Sequence, residues 1–192
     1  MIGKHSGYPL INVSKQASPA IHLRVLFLSA VLLIGGTTAQ AQIENNRPSP
    51  PAKLEASING LTVVVGYSRP SKKGRKIFGE LEPYGEVWRT GANETTWIDF
   101  SQDVKVNGQP IAKGRYALFS IPGETEWTII FNEKWKDWGA YAYDDKKDVL
   151  RIQVPADNQA PETEQFTVAM DSTGQLSLTW DRTRVAFTIR KT

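Results

Sequence analysis

At 192 residues the chain can bury one sizeable core but would be cramped as two domains. Its formal charge of +3 belongs to the first 41 residues: of the 23 Lys and Arg only Lys4, Lys15 and Arg24 precede Gln42, and no Asp or Glu precedes Glu44, so 20 basic residues face 20 acidic ones in the remainder. That balance calls for neither nucleic acid nor an anionic membrane, and with no Cys and only His5 and His22, the remainder cannot build a Ser-His-Asp or Cys-His nucleophile, a thiolate or imidazole zinc site, or a redox disulfide.

Residues 25–34, VLFLSAVLLI, form an apolar run of ten behind Arg24, followed by GGTTAQAQ. Ten residues reach only about halfway across a bilayer core, too short for a spanning helix. The small-x-small pattern Ala39-Gln40-Ala41 predicts a secretory leader over residues 1–41, cleaved before Gln42. The product is expected to be exported, periplasmic or extracellular, with no transmembrane segment of its own. Residues 42–51, QIENNRPSPP, read as a flexible Pro-rich lead-in, and residues 52–192 as a single β domain.

Two strands around Asn59-Gly60 open that domain, since Asn-Gly accepts the positive φ angles of a type I′ turn. The next stretch, Tyr67 to Thr96, is broken by Pro70, Gly74, Gly79, Pro83, Gly85 and Gly91, too often for a regular element. From Glu94 to Phe100 the residues alternate, with Trp97 facing away from Thr96, Ile98 and Phe100. DVKVNGQPI repeats the hairpin signal at Asn107-Gly108, and RYALFSI and WTIIFN follow as strands. KWKDWGAYAYDD, residues 134–145, is aromatic-rich and irregular; KDVLRIQV, EQFTVAM, QLSLTW and RVAFTIR close the chain as strands. Nine or ten short strands without helical periodicity predict an all-β fold, a mostly antiparallel β-sandwich with a β-barrel as the alternative.

The run YSRPSKKGRKIFGELEPYGEVWRTGANETT, with IPGETEWTIIFN and WGAYAYDDKKDVLRIQV, resembles secreted bacterial proteins grouped as domain-of-unknown-function family 2911. The resemblance covers about residues 48–190 and rests on the SRP, GRKIFG, WRTGAN and IPG segments together. It implies export, in keeping with the leader, and implies no activity.

Three sets of side chains are candidates for function. Arg69, Arg75 and Arg89, with Lys72, Lys73 and Lys76 nearby, would form an anion site if their guanidinium forks converged; the competing reading pairs them with Glu80, Glu82, Glu86, Glu94 or Asp148. Trp88 stands in the same stretch, and Asn93 is placed to bridge backbone groups of its loop. Among the aromatics, Trp97, Trp127 and Trp180 read as core, whereas Trp135, Trp138, Tyr141 and Tyr143 sit in a loop where they could stack against sugar rings. The carboxylates Glu94, Asp99, Asp137, Asp144, Asp145 and Asp148 lack calcium-loop spacing, and a glycan hydrolase would need two of them across a cleft. Neither a cofactor nor a metal is expected.

The reading that follows is a non-catalytic exported module that binds a small, anionic or glycan-like ligand, or a partner protein. Arg69, Arg75, Trp88, Arg89, Asn93, Trp138 and Tyr141 are its candidate binding residues. A carboxylate-only enzyme acting on glycans, or a purely structural domain, stand as alternatives.

Overall fold

The two Asn-Gly turns form as their chemistry requires, with φ of 50° and 80° at Asn59 and Gly60 and of 46° and 84° at Asn107 and Gly108. They join β1 (Pro51–Ile58) to β2 (Leu61–Ser68) and β4 (Val104–Val106) to β5 (Gln109–Ile111). The computed structural model describes residues 46–192, so the expected leader lies outside the described residues. The other strands are β3 (Trp97–Phe100), β6 (Gly114–Ile121), β7 (Glu126–Asn132), β8 (Asp148–Asp157), β9 (Thr163–Met170), β10 (Gln175–Asp181) and β11 (Thr183–Lys191), with one 3-10 turn at Asp145–Lys147.

One sheet carries all eleven strands, in the order β1-β2-β3-β6-β7-β8-β11-β10-β9, and the β4–β5 hairpin attaches to β11. The named pairings are antiparallel. The sheet curls until its ends nearly meet, which fits the sandwich and barrel descriptions alike. Alternation selects the inward face: Leu61, Val63, Val65 and Tyr67 of β2, Leu176, Leu178 and Trp180 of β10, and Val185, Phe187 and Ile189 of β11 all enter one core.

Strand β6 departs from alternation, with Tyr116 through Ser120 all buried. Its outer face carries a second apolar cluster, Ala117 and Phe119 with Ile130 of β7, covered by Val87, Trp135, Ala140 and Tyr143. A strand clad on both sides loses its polar face, as a doubly covered sheet does.

The sheet closes through side chains as well as main chain. Beyond β2, Ser71 bridges Gln165, the Lys72 N–H donates to the Glu164 carbonyl (2.7 Å), and the Phe166 N–H donates to the Pro70 carbonyl (2.9 Å). Alongside, Arg69 Nε donates to the Phe166 carbonyl (3.1 Å), its Nη2 to Thr167 Oγ1 (3.0 Å), and the Val168 N–H donates to the Tyr67 hydroxyl (3.2 Å). Two side chains thus occupy the edge positions of β9 that a partner strand would otherwise fill.

The irregular segment between β2 and β3 is firmly packed. Ile77, Phe78 and Trp88 enter the main core. The Phe78 ring lies 4.7 Å from that of Trp127, and the Trp88 indole stacks on Trp180 at 6.0 Å and meets Phe166 edge-on at 5.2 Å. Trp88 also forms a bridge with Ser120, its N–H donating to the Ser120 carbonyl at 2.7 Å. Such buried aromatics supply much of a core's apolar area, and here they plug the interior.

A candidate binding groove on the outer face

The groove is built outward from β3, whose Trp97 and Asp99 occupy the positions opposite Ile98 and Phe100. Across the ladder Trp97 pairs with Gly66 of β2, where any Cβ would collide with the indole, so the missing side chain is what lets the ring lie against the sheet. On the other flank Asp99 pairs with Arg115 of β6. Arg115 Nε donates to Asp99 Oδ2 at 2.9 Å, and its guanidinium lies 4.0 Å from the Trp97 ring centroid and 4.7 Å from that of Trp135. Lys136 Nζ stands 5.0 Å from the Trp135 ring. The result is an alternating ladder of indoles and cations, each contact about 0.5–1 kcal/mol where exposed.

The 133–144 loop is fixed over this face by two anchors. At one, Glu94 bridges Trp138, the Thr95 N–H donates to the Asp137 carbonyl (3.0 Å), Thr95 Oγ1 to the Gly139 carbonyl (2.7 Å), and the Gly139 N–H to the Asn93 carbonyl (3.0 Å). At the other, Asp148 accepts from Asn132 Nδ2 (2.8 Å), the Tyr143 hydroxyl (2.6 Å) and Arg151 Nε (2.7 Å). Burial, with the Asp148 carboxylate beside it, pushes the Tyr143 phenol up to about 12, so it stays a donor at any physiological pH.

The turn feeding the first anchor is strained. Thr90, fully buried and β-branched, takes a φ of 54°, and Asn93 a φ of 59°. A β-branched residue there is a genuine outlier, held by surrounding bonds. Those bonds are Thr96 Oγ1 donating to the Thr90 carbonyl (2.7 Å) and the contact of the Thr90 and Ser120 hydroxyls (2.9 Å).

Two recesses meet along Glu94, Thr95 and Trp97. The larger, about 440 Å³, lies between Trp97, Trp135, Asp137 and Trp138. The smaller, about 290 Å³, is walled by Arg47, Lys53, Gly66 and Tyr67. Glu94 accepts from Arg47 Nη1 at 2.7 Å, and Asp137 lies 3.3 Å from Lys134 Nζ. Burial pushes the Glu94 carboxyl up, but the Arg47 hydrogen bond and a backbone bond outweigh it, and the group titrates below its ordinary value.

Of the candidate residues, Trp138 borders this groove and is 58% exposed, while Tyr141, at 89%, stands out from the same loop. Asn93 Nδ2 donates to the Ser49 carbonyl (2.9 Å), a backbone group of the lead-in rather than of its own loop. With the Arg69 N–H donating to the Pro50 carbonyl (2.9 Å), that bond ties down residues 49 and 50 of the expected flexible lead-in. Of the cationic set, Lys73 and Arg75 line one recess of about 350 Å³ with Pro48, Ser49 and Ser71, which Arg69 and Arg89 do not border. Arg69 latches β9, and Arg75 donates to the Lys72 and Ser71 carbonyls (2.9 and 2.6 Å). Arg89 buries an Nε that meets no hydrogen-bond acceptor. Trp88 is interior, 3% exposed, with Nε1 donating to the Gly91 carbonyl (3.0 Å), so it faces packing partners rather than a ligand.

The expectation that Trp97 fills the core is corrected: it sits half-buried on the outer face, whereas Trp127 and Trp180 are interior. Its alternation against Ile98 and Phe100 carried that signal, and Gly66 marked where it would lie. Arg115 and Thr95 were not singled out from sequence, because their partners come from distant strands and loops. The carboxylates Asp99, Asp137 and Asp148 all face cations. Among the described residues no group of three or more His, Cys, Asp or Glu side chains is placed to hold a metal ion, and no helix is long and apolar enough to cross a membrane.

Fold and groove together define an antiparallel all-β domain, plugged by aromatics and carrying an indole-lined cleft outside its sheet. The chain belongs to the family described as "Protein of unknown function (DUF2911)", whose model matches residues 49–189. No curated protein and no solved structure matches the chain.

Proposed function

We propose that this chain is an exported binding module that takes a small or glycan-like ligand in the groove beside Trp97, with Trp138 as the contact platform. The observation that carries this reading is the 58% exposure of Trp138 at the wall of the larger recess, while Arg115 and Lys136 already stand over the Trp97 and Trp135 rings. An indole open to solvent beside a concave, partly apolar surface is what ligand sites present. Covering about 80 Å² of that ring would contribute about 2 kcal/mol. Binding is favoured over carboxylate-only hydrolysis because Glu94, Asp99, Asp137 and Asp148 each pair with a cation within 3.3 Å rather than facing one another across a cleft.

Isothermal titration and tryptophan fluorescence against small anions and soluble glycans test the reading. Saturable binding is expected, weakened about thirtyfold by Trp138→Ala, as about 2 kcal/mol requires. Absence of binding across both ligand classes would remove its support. Export is tested by cell fractionation and N-terminal sequencing, with a terminus at Gln42 expected. A mature terminus upstream of His22 would refute the leader.

A further inference from the structure

Resting on the groove reading above, we infer that the ligand is an uncharged oligosaccharide of at least two units, laid across β3 with one sugar in each recess. Two observations select this class. The first is shape. The recesses of about 440 and 290 Å³ share Glu94, Thr95 and Trp97 as a common border, so they form one elongated track. Each stands at the low end of the size that holds a compact small molecule, so a monosaccharide fills one and leaves the other empty.

The second is charge. Glu94 is bonded to Arg47 at 2.7 Å, Asp137 is paired to Lys134 at 3.3 Å, Lys53 to Glu55 at 2.8 Å, and Lys136 stands over Trp135. A charged ligand group drawn to Glu94, Asp137 or Lys53 would compete with the internal partner already in place there, at a modest cost because these pairs are partly exposed. A neutral polyol displaces none. Ion-paired carboxylates keep lone pairs and ammonium groups keep N–H donors, so ring hydroxyls can bond to both. The apolar face of a pyranose covers Trp138, whose ring has no partner in the pairs and ladder described above. The waist between the two units is then Thr95 and Trp97, where the Thr95 backbone and hydroxyl are already engaged.

The test is titration of the full exported chain with glucose, xylose and mannose, and with their neutral β-linked tetrasaccharides. A galacturonic acid tetramer and a glucosamine tetramer provide the anionic and cationic arms. A neutral tetrasaccharide is expected to bind at least tenfold tighter than its monosaccharide. Trp138→Ala removes most of that affinity. Lys53→Trp, which fills the smaller recess from an exposed strand position, should bring tetrasaccharide affinity down to the monosaccharide level. Equal affinity for one and four units overturns the two-recess inference but leaves the groove reading standing. Tighter binding of either charged tetramer overturns the neutral class in the same way. Binding of any ligand that Trp138→Ala leaves unchanged overturns both.

Discussion

Arg69 offers the sharpest test of how this sheet closes. Its guanidinium makes two half-buried bonds across 97 and 98 residues of sequence, to the Phe166 carbonyl and Thr167 Oγ1. A bond from a charged donor is worth about 1.5–3 kcal/mol, and partial exposure places both near the lower end. Arg69→Ala is therefore expected to cost about 2–4 kcal/mol, leaving the Phe166 carbonyl without its side-chain donor. At about 2–4 °C per kcal/mol for a domain of this size, the melting temperature should fall by about 4–16 °C. Arg69→Lys recovers one bond at best, since an ammonium cannot reproduce the planar fork. The control is Arg75→Ala. That guanidinium caps carbonyls only three and four residues away on an exposed turn, and its loss should cost about 1 kcal/mol or less. Urea denaturation with amide exchange at Phe166 and Val168 reads both quantities. Equal destabilisation by the two variants, or unchanged exchange at those amides, would refute the latch.

Two further predictions concern the groove and the plug. Gly66→Ala drives a methyl into the Trp97 indole and should cost about 1–3 kcal/mol by overpacking, with a shifted tryptophan emission as the ring leaves the sheet. Glu82 gives a pH signature: burial pushes its carboxyl up to about 7 against the opposing pull of Arg89 and Arg75. Because the folded state holds this proton more tightly than the unfolded chain, whose value is near 4.5, stability from this group is present below pH 4.5 and is lost as pH rises to about 7. Glu82→Gln should flatten that slope and raise stability at pH 8; a slope unchanged by the substitution would place its origin elsewhere.

The strands were legible because their signals are local. Asn59-Gly60 and Asn107-Gly108 encode their turns in two residues, and β11 announces its inward face through Val185, Phe187 and Ile189. Sheet closure was not legible, because Arg69 and Arg75 look alike in sequence and differ only in whether the partner is 97 residues away or three. The segment between β2 and β3 reads as a polar loop by its Gly and Pro content, yet its Ile77, Phe78 and Trp88 are core. Composition located the unusual backbone but could not say which side chains turned inward. The site was half visible: Trp138 stood out as a loop aromatic, whereas the ladder through Arg115 needs the Asp99–Arg115 register to exist at all. Strand β6 has no wet face, since Tyr116 and Leu118 enter the main core while loop residues clad Ala117 and Phe119 on the other side.

The seam also bears on behaviour in concentrated solution. A strand at the end of a sheet is a template for foreign chains when its amides and carbonyls are vacant. Here the Phe166 and Val168 amides and the Glu164 and Phe166 carbonyls all have acceptors or donors from the segment 67–72. The cap is a short stretch of the same polypeptide, so loss of its grip would unmask a ready-made docking ladder. Damage at this join should therefore surface as intermolecular cross-β association under conditions where the remaining strands are still folded.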